Sequence, residues 1–272
     1  MRKTARFWLF YASAALMGQS LPPRLESACR PWGERAWECA HRSEALGGEE
    51  RYSLFVPAHL ASPPTLVVLL HGSGRNHRTL VEQPSTRAAL DSSGHVILMP
   101  DGGASWWIAR GYPEHVVELT ELVGRAFGIP PERRGCGGWS MGAYGSIRLM
   151  ERHAGAFVSW TGILGLLDFP NEGYTGRDNH AVPAVFGPRP EWPRHNPMGG
   201  AAALRGKRLW FATGKDAFDY RMNLAFHRKL EELNIAHEFK TLAGGHVFAV
   251  VAEALPEALR FHERALGAVH AR

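Results

Sequence analysis

The chain has 272 residues, of which 45% are apolar and 21% charged, and its net charge is +5. That balance excludes a disordered chain, and the length suffices for a core that is stable without cross-links. No Lys/Arg block exceeds two residues, so the positive excess reads as a solvated surface, and no nucleic-acid partner is expected.

In chain order, the first twenty residues stand apart. Arg2, Lys3 and Arg6 precede an uncharged apolar run from Phe7 to Met17, followed by the small residues Gly18 and Ser20. This is the layout of a secretory signal peptide, and the run is too short to span a bilayer. The expectation for 1–20 is therefore export, to a secreted or periplasmic location; uncleaved, the chain would stay in the cytoplasm. No Cys follows the run, so no stable membrane anchor is expected.

Residues 21–44 read as an N-terminal extension. Cys29 and Cys39 lie close together there, among Pro31, Trp32, Gly33 and Trp37. In an oxidising compartment they can pair across a short loop. Cys136 is left over in an expected buried strand, where a lone Cys behaves as a small apolar residue. No Cys/His set has zinc-ligand spacing, so no metal is expected.

The remainder, 45–272, reads as one catalytic domain. Tyr52–Val56, Thr65–Leu70, His95–Met99, Gly135–Trp139, Phe157–Thr161, Arg208–Ala212 and His237–Leu242 are the expected strands. Helical stretches are expected near 78–91, 114–127, 142–152, 220–234 and 250–266. Such alternation implies an α/β fold with a largely parallel sheet covered on both faces, and ligand sites at the carboxyl ends of its strands. One stretch, 169–200, is rich in Pro, Gly, Asn and Trp without a period. It is too long for a simple connector and reads as an excursion over the active-site face.

Gly138-Trp139-Ser140-Met141-Gly142 is a G-x-S-x-G motif between an expected strand and an expected helix. A sharp turn there lifts Ser140 above the sheet as a nucleophile. His71-Gly72-Ser73-Gly74 follows the strand Thr65–Leu70. Its glycine-rich turn can aim the N–H groups of Gly72 and Ser73, together with that of Met141, at a developing oxyanion. His71 itself reads as a structural residue of that loop. Enzymes with this motif order their triad Ser, acid, His. Among fourteen histidines, His246 sits between the last strand and the last helical stretch, whereas His237, His262 and His270 lie inside a strand or helix. The acid should follow Arg208–Ala212. Asp216 in Thr213-Gly214-Lys215-Asp216 is favoured there, and Asp219, just before the next helix, is its competitor with helix capping as its ordinary role. Trp106, Trp107 and Trp139 are candidates for the substrate pocket, against core packing as the commoner fate of aromatics.

These segments resemble the esterase family of α/β-hydrolases that includes S-formylglutathione hydrolases, feruloyl esterases, tributyrin-type esterases and the antigen 85 mycolyltransferases. The resemblance rests on Leu69–Gly74, Pro100–Trp106, Gly137–Gly145 and Ala243–His246. It covers roughly 45–268 and implies an α/β-hydrolase fold, a Ser140–Asp216–His246 triad, and hydrolysis of a small-molecule carboxylic ester through an acyl-enzyme without a cofactor. Where relatives often carry the acid three residues after the glycine of the acid loop, this chain has Ala217. Trp139 beside the serine is also similar to polyester hydrolases. Acyl transfer to an alcohol, peptide hydrolysis, and a non-catalytic binding module are the other readings on the same fold.

Overall fold

The computed structural model describes residues 21–171 and 182–267. The expected signal peptide, the middle of the excursion and His270 lie outside the described residues. Nine strands form one sheet among the described residues. They are β1 (Cys29–Gly33), β2 (Ala36–Ser43), β3 (Gly48–Phe55), β4 (Leu66–Leu70), β5 (Val96–Pro100), β6 (Arg134–Trp139), β7 (Ser159–Ile163), β8 (Arg208–Gly214) and β9 (Glu238–Leu242). Their order is β1-β2-β3-β5-β4-β6-β7-β8-β9. The first three pairings are antiparallel, and every pairing from β5 to β9 is parallel.

The helices are α1 (Pro23–Glu26), α2 (Thr79–Glu82), α3 (Pro84–Ser92), α4 (Tyr112–Phe127), α5 (Met141–Arg152), α6 (Trp192–His195), α7 (Pro197–Gly200), α8 (Tyr220–Glu232) and α9 (Phe248–Leu266). Strand β4 shows why they cover both faces. All five of its residues are buried, and successive side chains of a strand point to opposite faces. Leu66, Val68 and Leu70 belong to one cluster with Val116, Leu119 and Val123 of α4, Ile147 of α5 and Phe226 of α8. Val67 and Leu69 belong to another with Leu90 of α3 and Val250, Leu255 and Leu259 of α9. A continuous apolar run is what a strand buried on two sides requires.

The segment before residue 45, expected as an extension, supplies β1 and β2 to the same sheet. A Cys29–Cys39 disulfide joins the two strands at directly paired positions. The described part of the excursion packs on α5. Tyr144 donates its hydroxyl to the carbonyl of His195 at 2.8 Å, and Arg148 donates to that of Arg194 at 2.7 Å. Arg148 also pairs with the buried Glu151 one turn on. Among the described residues no helix is long and apolar enough to cross a membrane.

Candidate active site

The site begins at the turn from β6 into α5. Ser140 has φ 53° and ψ −121°, outside the regions ordinary residues prefer, at a cost of about 1–3 kcal/mol. The surroundings hold it there. Its N–H donates to the Ile163 carbonyl of β7 at 2.9 Å, and its carbonyl accepts from Tyr144 N–H at 3.1 Å. The turn also needs Gly142, because a Cβ there would lie 1.9 Å from the Leu70 carbonyl oxygen. Ser140 is half-buried and does not cap α5 with its side chain, so its hydroxyl is free to meet a base.

That base is within reach. Ser140 Oγ lies 2.9 Å from His246 Nε2, and His246 Nδ1 lies 2.6 Å from Asp219 Oδ1. The arrangement calls for the tautomer in which Nδ1–H donates to the carboxylate and Nε2 accepts from the serine hydroxyl. Asp219 is fully buried. Its other oxygen accepts from the Thr213 hydroxyl at 2.6 Å and from the Asn223 amide at 2.9 Å. A buried carboxylate with three donors is held in one orientation. Phe218 stacks on the His246 ring with centroids 4.3 Å apart.

The favoured acid, Asp216, is not the partner of His246. It is exposed, and its N–H donates to the Gly244 carbonyl at 3.0 Å. Together with Lys215 N–H, bonded to Leu242 O at 2.9 Å, it stitches the β8 loop to the loop carrying His246. The chain must make that turn before it comes back beneath the imidazole, and it does so at Asp219. Although Asp219 occupies the N-cap position of α8, its side chain makes no capping bond and faces His246 instead. Sequence reasoning also missed Thr213 and Asn223. The one signal for Asn223 was its spacing, four residues after Asp219, which puts both on one helix face.

The rival histidines are engaged elsewhere. His262 lies in the core between the Ser159 and Thr161 hydroxyls at 2.8 and 3.0 Å, and burial holds it in the neutral form. His237 contacts His227 at 2.7 Å and the Ile235 carbonyl at 2.8 Å. His71 is buried and structural, as its position suggested. Its Nδ1–H donates to Gly72 O at 2.9 Å, its Nε2 accepts from Gly102 N–H at 3.0 Å, and its carbonyl accepts from Trp107 Nε1–H at 3.1 Å. It therefore locks the His71–Gly74 loop to the loop after β5. Beside it, the Asp101 carboxylate lies 3.4 Å from His71 Nε2 and 2.9 Å from His77 Nδ1, and accepts from Gly103 N–H at 3.2 Å.

Two of the three tryptophans expected in the pocket are core residues. Trp107 is 2% exposed and Trp139 7%. A Cβ on Gly72 would lie 2.7 Å from Trp139 Nε1, so Trp139 serves as the wall against which the Gly72–Ser73 turn sits. Trp106 is half-buried in an aromatic group with Phe169, Phe186 and Tyr144. Beside the imidazole stands Phe218, which was not anticipated, and Val247 and Phe248 follow His246 directly in the chain. Val247 is 52% exposed, the one large apolar side chain so exposed among the described residues. Met141 opens α5, so its N–H has no acceptor within the helix and stands beside Ser140.

No protein-family model and no curated protein sequence matches the chain. Solved structures do. A ferulic acid esterase superposes with a TM-score of 0.73 at 18% identity, over 85% of this chain and 98% of that one. An S-formylglutathione hydrolase from Agrobacterium tumefaciens gives 0.71 at 19%, over 85% and 95%. FphF, a fluorophosphonate-binding serine hydrolase of Staphylococcus aureus, gives 0.69 at 18%, over 84% and 97%. The chain has the fold of these hydrolases, an α/β-hydrolase fold.

Proposed function

We propose that the chain is a serine hydrolase of carboxylic esters, akin to the esterase family its motifs resemble, working through Ser140, His246 and Asp219. The observation that carries this reading is the hydrogen-bonded row from Ser140 Oγ to His246 to the buried Asp219, at 2.9 and 2.6 Å. Three side chains in that order activate a hydroxyl that is otherwise unreactive at neutral pH. The names of the solved neighbours, ferulic acid esterase and S-formylglutathione hydrolase, support an ester substrate.

In the proposed reaction His246 Nε2 takes the Ser140 proton as Oγ attacks the ester carbonyl. Asp219 holds the imidazole in the productive tautomer and stabilises the imidazolium. The oxyanion accepts from Met141 N–H and from the N–H groups of Gly72 and Ser73, each donor worth about 3–4 kcal/mol in well-studied cases. The C–O bond to the alcohol breaks, and the alcohol leaves with the proton from His246. Water then adds to the acyl-serine, giving a proton to His246, and collapse returns that proton to Ser140 Oγ and releases the acid. No step calls for a cofactor.

Ser140→Ala tests the reading. The wild-type protein should hydrolyse p-nitrophenyl acetate or butyrate and be labelled by a fluorophosphonate. The variant should lose turnover by about 10⁴-fold or more and lose labelling, with circular dichroism unchanged. A wild-type protein that neither turns over short esters nor takes the label would refute it. Export belongs to the same proposal, supported by the basic-then-apolar start and by the Cys29–Cys39 disulfide. Mass spectrometry of the secreted protein should find a mature N-terminus near residue 21; an intact Met1 would overturn it.

A further inference from the structure

Resting on the ester-hydrolase reading, we propose that Arg75 recognises a free carboxylate carried by the ester substrate. Arg75 directly follows the His71–Gly74 loop, and its N–H closes that turn on Gly72 O at 3.2 Å. Its guanidinium carbon lies 5.4 Å from the centre of the Phe248 ring. Phe248 is two residues beyond His246, and its ring meets edge-on that of Trp139, the residue before the nucleophile, at 6.2 Å. The cation thus spans the rim between the oxyanion loop and the base loop.

Among the described residues no carboxylate pairs with Arg75. Three acids of the neighbouring elements are committed to other partners: Asp101 to His77 and Gly103 N–H, Glu38 to His77 and Arg78, and Asp219 to His246. On the acid loop, Lys215 and Asp216 are adjacent and both exposed, so their charges offset each other. Among the described residues Arg75 is thus an exposed cation of this rim without a carboxylate partner, stacked on the Phe248 ring next in sequence to the exposed Val247. Stacking on an aromatic ring restricts the guanidinium while leaving its planar edge of donors available, and that edge matches a carboxylate two bonds at a time. The substrate this selects has an ester and an anionic carboxylate separated by a short apolar spacer: either a half-ester of a dicarboxylic acid, or an ester whose alcohol bears the carboxylate.

Two matched pairs separate these sources. Mono-4-nitrophenyl glutarate against its methyl diester puts the charge on the acyl side. A 4-butyryloxybenzoate against its methyl ester puts it on the alcohol side. For the full chain, the charged-to-neutral ratio of kcat/KM should be about tenfold in one pair, and 0.5 M NaCl should shrink it. Arg75→Met should bring that ratio to about one, Arg75→Lys should restore part of it, and Arg205→Met, at the far end of β8, should not change it. A wild-type ratio near one in both pairs, or a ratio that survives Arg75→Met, overturns the assignment while leaving ester hydrolysis intact. Absence of turnover with the neutral esters, with no fluorophosphonate labelling, overturns the hydrolase reading itself and this assignment with it.

Discussion

At its antiparallel edge the sheet is regular. β2 and β3 pair residue for residue from Ala36↔Phe55 to Ser43↔Gly48, and a disulfide closes the outer hairpin. Beyond the carboxyl ends of β5, β6 and β7 the backbone leaves the ordinary regions again and again: Trp106, Trp107, Ser140 and Leu164 all have positive φ. Both regions belong to one sheet and lean on the same core. The edge spends its residues on pairing, which adds stability. The rim spends them on aiming a hydroxyl, an imidazole and free N–H groups, at a cost in strain that the packed centre offsets. If this division holds, damage to the rim should remove activity and spare stability, and damage to the edge should do the reverse.

The largest expected effect is at the rim. Asp219→Asn should lower kcat by about 10⁴-fold, because an amide facing Nδ1 favours the wrong imidazole tautomer. Asp216→Asn should stay within about twofold, since that side chain is exposed and away from His246. Steady-state rates of the two variants decide between the acids, and equal losses would return Asp216 to the machinery. Next comes the edge. Replacing Cys29 and Cys39 together by Ser should cost about 2–3 kcal/mol, from the loop entropy that a bridge between residues ten apart removes from the unfolded chain. Denaturant unfolding measures this, and kcat/KM should not change; a fall in activity would break the division. The smallest effect lies on α5, at the end remote from Ser140. Burial pushes the Glu151 carboxyl up to about 7, against the pull of Arg148 and Arg152. A carboxyl whose folded pKa is raised favours the folded state below its unfolded pKa of about 4.5, and that contribution is lost as pH rises through about 7. Wild-type stability should therefore fall relative to Glu151→Gln, by about 1 kcal/mol between pH 5 and 6. Melting curves that run parallel across that range would show that the carboxyl is not raised.

Legibility in the sequence follows the same division only in part. The central strands were readable because a strand buried on both faces is a continuous apolar run; Ser140 was readable from its glycine motif and His246 from its place before the last helix, although the strand ahead of it, β9, is a largely exposed edge strand. The hairpin was not. Cys29-Arg30-Pro31-Trp32-Gly33 carries a proline and a glycine and leaves Arg30, Pro31 and Gly33 in solvent, which matches a loop as well as an edge strand. Asp219 was ambiguous for a different reason. An acid before a helix is the ordinary signature of a cap, and only the direction of the side chain, toward His246, separates the two roles. Trp107 and Trp139 carry no mark in sequence that distinguishes a pocket wall from the packing behind it.

Helix α5 grips the segment beyond residue 182 through Tyr144 and Arg148, and both donors bind main-chain oxygens, those of His195 and Arg194. A mooring to carbonyls does not read the side chains of what it holds. These two attachments are thereby indifferent to sequence: a transplanted stretch of different composition keeps both of them wherever its main chain follows the same path.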